Sequence, residues 1–209
     1  MNSTDIIAEL LTAYLRFPVS DLFLPDTDPI IFGGCIRDSL AGDGFTDIDV
    51  VGYSQTLDEL GESLKLKGFK YEQPTISDYN EMPEFNLHRF TNPKLPISID
   101  IIKPRIRDFN NNPTNLDPAD IKEVMLKFIK NVDIRACGVG YSLKGGIMEL
   151  IPGAINDCLT KQIVVLPDGI LHRQDRNQKR VTKLLSRGWN NNKPEVPEKK
   201  NLDIRGYNF

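Results

Sequence analysis

Cysteine, histidine and tryptophan are scarce in this sequence, and the first two scarcities each remove a class of function. The three cysteines, Cys35, Cys137 and Cys158, follow neither a zinc-ligand spacing nor a disulfide framework. They read as reduced, buried side chains of a cytoplasmic protein. His88 and His172 stand alone, without a serine or cysteine to activate, so they are expected to be structural or exposed. No apolar run approaches the roughly 20 residues of a membrane span. The N-terminal MNSTDIIAELL also lacks the basic and long apolar regions of a secretory signal, so no membrane partner is expected. Positive charge is short as well. With 26 Lys and Arg against 29 Asp and Glu, the net charge is −3, which excludes a broadly basic, nucleic-acid-coating protein but not a local basic patch.

What is present is concentrated in residues 30–53, IIFGGCIRDSLAGDGFTDIDVVGY. Ile30, Ile31 and Phe32 read as a strand, Gly33-Gly34 as a tight turn, residues 35–41 as a short helix, and Asp47 to Val51 as a second strand. Side chains alternate along a strand, so Asp47 and Asp49 share one face while Ile48 and Val50 take the other. Two carboxylates side by side repel each other, and a divalent cation is the usual neutraliser. The Gly-Gly turn opening a helix supplies bare backbone N–H groups suited to phosphate oxygens.

The rest of the chain supports an α/β (α+β) fold with a small mixed β-sheet flanked by helices. Ile6, Ile7, Leu10, Leu11, Tyr14 and Leu15 follow helical spacing up to Pro18. Leu57, Leu60, Leu64 and Leu66 predict a second helix closed by Gly68, with a strand from Phe69 to Tyr71. Residues 85–90 and 97–102 read as two strands of a hairpin across Asn92-Pro93. The second contains Asp100 amid apolar neighbours, where an acid is costly to bury without a partner. It is either an outward-pointing acid on an edge strand or a third metal ligand, and the two earlier acids favour the latter.

Residues 103–116 read as a basic, then Asn/Pro-rich loop, and residues 117–130 as a helix capped by Asp117-Pro118. A strand over 132–143, a turn at Lys144-Gly145-Gly146 and a return strand over 147–151 follow. A short helix from Pro152-Gly153 and a strand over 163–166 complete a first unit, residues 1–166. Residues 167–189 form a basic helical extension with Arg173, Arg176, Lys179, Arg180, Lys183 and Arg187, either a solvated face or a phosphate-contacting one. Residues 190–209 read as an extended or disordered tail.

These residues suit two-metal nucleotidyl transfer. Asp47, Asp49 and Asp100 would hold two Mg²⁺ ions, or Mn²⁺ in their place, about 4 Å apart, and Gly33, Gly34 and Arg37 would take up charge on the leaving pyrophosphate. The order and spacing of GG, RD and D-x-D in GGCIRDSLAGDGFTDIDVVG resemble the signature of the DNA-polymerase-beta-like nucleotidyltransferase superfamily. The nearest likeness is the head domain of tRNA CCA-adding enzymes and bacterial poly(A) polymerases. The resemblance implies a nucleotidyltransferase fold, Asp47 and Asp49 as metal ligands, and nucleotide contacts from Gly33, Gly34, Arg37 and Asp38.

VDIRACGVGY (132–141) resembles the family's D-F-T-I-N-A-L-A-Y segment, which implies a nucleotide-binding role for Asp133, with Cys137 standing where the family has asparagine. Residues 153–157 resemble its G-G-L-x-D turn, and Leu150 replaces the aspartate that precedes it. The basic helix is similar to the base-reading E-D-x-x-R-x-x-R element. Asp175 matches its aspartate, Gln178 and Val181 occupy the arginine positions, and Arg176 or Arg180 would substitute. The resemblance covers about residues 1–188 and implies a nucleoside triphosphate substrate with an RNA or tRNA-like 3′ end as acceptor. The tRNA-holding helical domains of that family have no counterpart in this sequence. A protein or small-molecule acceptor is therefore an alternative, and a catalytically silent nucleotide- or RNA-binding module a second.

Overall fold

A computed structural model describes residues 3–22, 29–52, 54–73, 85–104, 132–166 and 174–191, together with Glu123, Leu126 and Ile129, which are helical. The helix expected over 117–130 otherwise lies outside the described residues, as do residues 167–173 of the basic extension, nearly all of the loop expected over 103–116, and nearly all of the tail.

Helix α1 (Ser3–Leu15) precedes strand β1 (Ile30–Phe32), helix α2 (Gly34–Ala41), strand β2 (Asp47–Val51), helix α3 (Ser54–Leu66) and strand β3 (Lys70–Glu72). The hairpin β4 (Phe85–Thr91) and β5 (Ser98–Pro104) follows, then β6 (Val139–Ser142), β7 (Gly146–Glu149), α4 (Ala154–Thr160) and α5 (Gln174–Leu185). The strands form one seven-stranded mixed sheet in the order β3-β4-β5-β2-β1-β6-β7. Its β2–β5 pair is parallel, and the other pairs are antiparallel.

The alternation read from sequence sorts the two sheet faces. Ile31, Ile48, Val50, Ile99 and Ile101 pack with Ile7, Leu11 and Leu15 of α1, Ile36 of α2, and Leu57, Leu60 and Leu64 of α3 in the main core. Burying each such side chain contributes about 1.5–3 kcal/mol. Ile30, Phe32, Val51 and Ile102 pack on the opposite face around Ile129. Asp47, Asp49 and Asp100 alternate with the main-core residues and so belong to this second face. Leu184 and Trp189 enter the main core, which ties the basic helix to the same body as the sheet.

Two strand expectations change. Residues 132–143 are not one strand. A 3-10 turn at Arg135–Cys137 interrupts them, because Arg135 reaches Asp157 and Gly138 lies against Ile151, whose side chain leaves no room for a Cβ. Residues 163–166 form backbone bonds without becoming a strand. Gln162 and Val165 make isolated bridges to Asn190 and Ile134, and a single segment cannot ladder with partners so far apart.

Candidate active site

Register builds the site. Phe32 of β1 lies opposite Asp49 of β2, Asp49 beside Asp100 of β5, and Asp100 opposite Arg89 of β4. Four adjacent strands therefore present one row: Phe32, Asp49, Asp100, Arg89. One pleat earlier, Asp47 lies beside Ser98, and its Oδ1 accepts from the Thr46 hydroxyl at 3.1 Å.

The acids of the row are not equivalent. Asp49 Oδ1 is buried and, among the described residues, has no hydrogen-bond partner. Burial pushes the Asp49 carboxyl well above the usual carboxylate range, with Asp47 and Asp100 adding to the shift and Arg180 and Arg89 opposing it. The Cys35 thiol is pushed up too, by burial and then by Asp49 and Asp47. Asp100 is 2 % exposed. Both its oxygens are held: Arg89 Nε donates to Oδ1 at 2.8 Å and Nη2 to Oδ2 at 2.6 Å. Asp47 and Asp49 are thus the pair able to hold a divalent cation, and an orphaned carboxylate oxygen beside like charges is the donor set such an ion fits. Among the described residues no three His, Cys, Asp or Glu side chains are already gathered as a metal cage. The three-carboxylate arrangement expected from sequence is altered by Arg89, which sequence reading passed over.

The glycine turn sits against this pair. Gly33 has φ 77°, ψ −133°, a conformation open to glycine, and a Cβ there would stand 3.5 Å from Asp49 Oδ2. Helix α2 starts at Gly34 without a side-chain cap. Gly33 donates its own N–H to the Val139 carbonyl at 3.1 Å, so the N–H groups left for a ligand are those of the first turn from Gly34 on.

Arg37 and Asp38 are placed differently from the contacts their motif implies. They are 8 % and 3 % exposed, too enclosed to present a charge to solvent. Arg37 Nε donates to Asp38 Oδ1 at 2.6 Å, Arg37 Nη1 to Cys137 Sγ at 3.1 Å, and Arg187 Nη1 to Asp38 Oδ2 at 3.0 Å. Burial works against the Arg37 charge, yet Cys137 and Asp38 outweigh it and raise its pKa above the ordinary value. Cys137, in place of asparagine, thus receives a guanidinium N–H, and Leu150, in place of aspartate, packs with the second-face apolar cluster.

Asp133 is buried, and its Oδ1 accepts from Arg180 Nη1 at 2.6 Å while Oδ2 has no partner among the described residues. Arg180 also opposes the rise of the Asp49 pKa, so the basic helix turns positive charge toward the carboxylate row. Asp175 and Arg176 lie in the first turn of α5, and their side chains are outside the described residues. Gln178 is exposed and Val181 packs on the core.

No protein-family model matches the chain, and no curated protein matches it in sequence. Solved structures do match. A CCA-adding enzyme in complex with CTP aligns with a TM-score of 0.56 and 18 % identity over 87 % of this chain. The Thermotoga maritima CCA-adding enzyme with tRNA gives 0.55 and 16 % over 88 %, and a CCA-adding enzyme with ATP gives 0.52 and 18 % over 85 %. The chain spans 40 %, 40 % and 37 % of their respective lengths. Identity this low speaks to fold, and with its mixed sheet and helices the chain has the nucleotidyltransferase fold found in part of the CCA-adding enzymes.

Proposed function

We propose that the chain is a divalent-cation-dependent nucleotidyltransferase that moves a nucleoside monophosphate from a triphosphate to an acceptor hydroxyl. The observation that carries this reading is Asp49, a half-buried carboxylate whose Oδ1 is buried without a partner among the described residues, set between Asp47 and Asp100 and against the Gly33 turn. Like charges so arranged are costly unless a cation joins them, and a cation held there would in turn attract an anionic ligand such as a triphosphate.

Asp47 and Asp49 would hold Mg²⁺, or Mn²⁺ in its place. A cation held there would supply polarisation of the triphosphate and a lower pKa for the attacking hydroxyl. The turn at Gly33 sets the direction of α2, and the backbone N–H groups of its uncapped start, from Gly34 on, orient the phosphates. Arg180, held by Asp133, adds positive charge beside them. Arg37 and Asp38 act as positioning residues that fix α2, and so the turn, against the core. Asp175 and Arg176 are proposed contacts to the base.

An RNA 3′ end, tRNA-like, is the acceptor we favour. Support comes from the fold-mates solved with CTP, ATP and tRNA, and from the exposed cations Lys179 and Lys183 on α5. The acidic net charge favours a second reading, with a protein or small-molecule hydroxyl as acceptor. Incubating the protein and Asp49→Asn with labelled ATP, CTP, GTP or UTP, Mg²⁺, total RNA and lysate tests both. Label in RNA that disappears in Asp49→Asn is expected. Label in protein or a metabolite transfers the proposal to the second acceptor, and no Asp49-dependent label overturns nucleotidyl transfer altogether.

A further inference from the structure

The acids of the active row differ in a way that the proposed transfer does not use. Asp49 keeps a buried oxygen without a partner, whereas both oxygens of Asp100 are taken by one guanidinium at 2.8 and 2.6 Å. The backbone imposes this second arrangement. Arg89 and Asp100 are direct partners in the β4–β5 ladder, and the ladder runs unbroken from Phe85–Pro104 to Thr91–Ser98. The fork therefore reaches the acid without help from a loop. Paired forks of this kind are short, planar and charge-assisted, and an acid as buried as Asp100 is held by its partner more firmly than a surface acid would be.

A divalent ion sharing Asp100 would have to stand within a few ångströms of the guanidinium, where like charges repel strongly in a partly dry site. Arg89 also occupies the next place in the row that already contains Asp49 and Asp100, so its charge acts on the whole cluster.

We propose that Arg89 is the resident cation of this cluster. In the nucleotide-free protein it withholds Asp100 from metal, confines divalent-ion binding to Asp47 and Asp49, and limits the site to one ion. The inference rests on the proposed function in taking Asp47 and Asp49 as a cation site. Its new content is that a strand-borne arginine, rather than a second metal, neutralises the third acid.

Titrating the full chain with Mn²⁺ in the absence of nucleotide, with free ion followed by electron paramagnetic resonance, tests this. The natural protein should bind one ion per chain, and Asp49→Asn should bind none. Arg89→Gln should admit a second ion, and Arg89→Gln combined with Asp100→Asn should return to one. The double substitution removes a base and an acid together and leaves no uncompensated buried charge. It therefore decides the matter even if Arg89→Gln alone does not fold. Affinity of the double variant within about threefold of the natural protein supports the proposal, and a greater loss means that Asp100 already ligates the ion. Arg89→Gln binding a single ion, or the natural protein binding two, overturns the role of Arg89 and leaves the cation site standing. Absence of Asp49-dependent binding in the natural protein overturns the cation site itself, and the inference with it.

Discussion

Residues 30–53 supply acids to two regions with opposite electrostatics. On the helix side, every oxygen of Asp38 and Asp43 meets a donor. Asp38 takes Arg37 and Arg187, and Asp43 takes Lys161 at 2.7 Å and Trp189 Nε1 at 2.8 Å. On the sheet face, Asp49 keeps an oxygen without a partner beside two like charges. The first region is a seam that fastens α2 and the loop after it to Lys161 at the end of α4 and to Arg187 and Trp189 just after α5, across sequence separations of 118 to 149 residues. The second stores electrostatic cost in one place. Acids that hold a fold together are matched with bases. An acid left unmatched beside like charges is, on the proposed function, available to a cation.

Breaking the seam should have the largest effect on stability. Asp38→Ala leaves Arg37 and Arg187 without their shared carboxylate, at a cost of about 3–5 kcal/mol, measured by denaturant unfolding. If the loss is no greater than for an exposed pair such as Lys65–Glu62, Asp38 is not the seam's centre.

A smaller effect is expected on the active side. Gly33→Ala forces alanine into a left-handed conformation, at about 1–3 kcal/mol, and sets a methyl group against Asp49 Oδ2. Nucleotide binding should weaken by more than the stability loss explains, as equilibrium binding of a triphosphate analogue would reveal. Unchanged binding would remove the turn from the phosphate site.

The smallest effect concerns pH. Burial tends to raise the Asp43 pKa, but Lys161 and Trp189 outweigh it and the folded value lies below that of an ordinary aspartate. The sign follows. Its contribution is present above the unfolded value of about 3.9 and is lost as pH falls through the lower folded value. Asp43→Asn should therefore cost less than about 1 kcal/mol near neutrality, and the difference from the natural protein should vanish in acid. A difference that grows on acidification would contradict the pairing.

The acid pair was legible because alternation along one short strand places Asp47 and Asp49 together without any tertiary information. The glycine turn and α2 were legible for the same reason, being local. Arg89 was legible in principle. The hairpin across Asn92-Pro93 was read correctly, and counting outward from Thr91 opposite Ser98 brings Arg89 opposite Asp100. The seam was not legible, since nothing near Asp38 announces a partner at Arg187. The interruption of 132–143 was hidden too, because it depends on Arg135 finding Asp157 and on Gly138 meeting Ile151. Local periodicity reports the faces of strands and helices. It does not report which distant charge closes on which.

The central claim, that Asp49 is costly until a cation arrives, is tested most directly by thermal unfolding of the natural protein and Asp49→Asn, each in chelator and in Mg²⁺. A carboxyl whose folded pKa is raised destabilises the folded state when ionised, and the penalty fades as pH falls toward the unfolded value. In chelator near neutral pH, Asp49→Asn should be the more stable protein, with the higher Tm, and the gap should close on acidification. Mg²⁺ should raise the Tm of the natural protein and leave that of Asp49→Asn unchanged. A less stable Asp49→Asn, with Mg²⁺ shifting both proteins equally or neither, would contradict the claim.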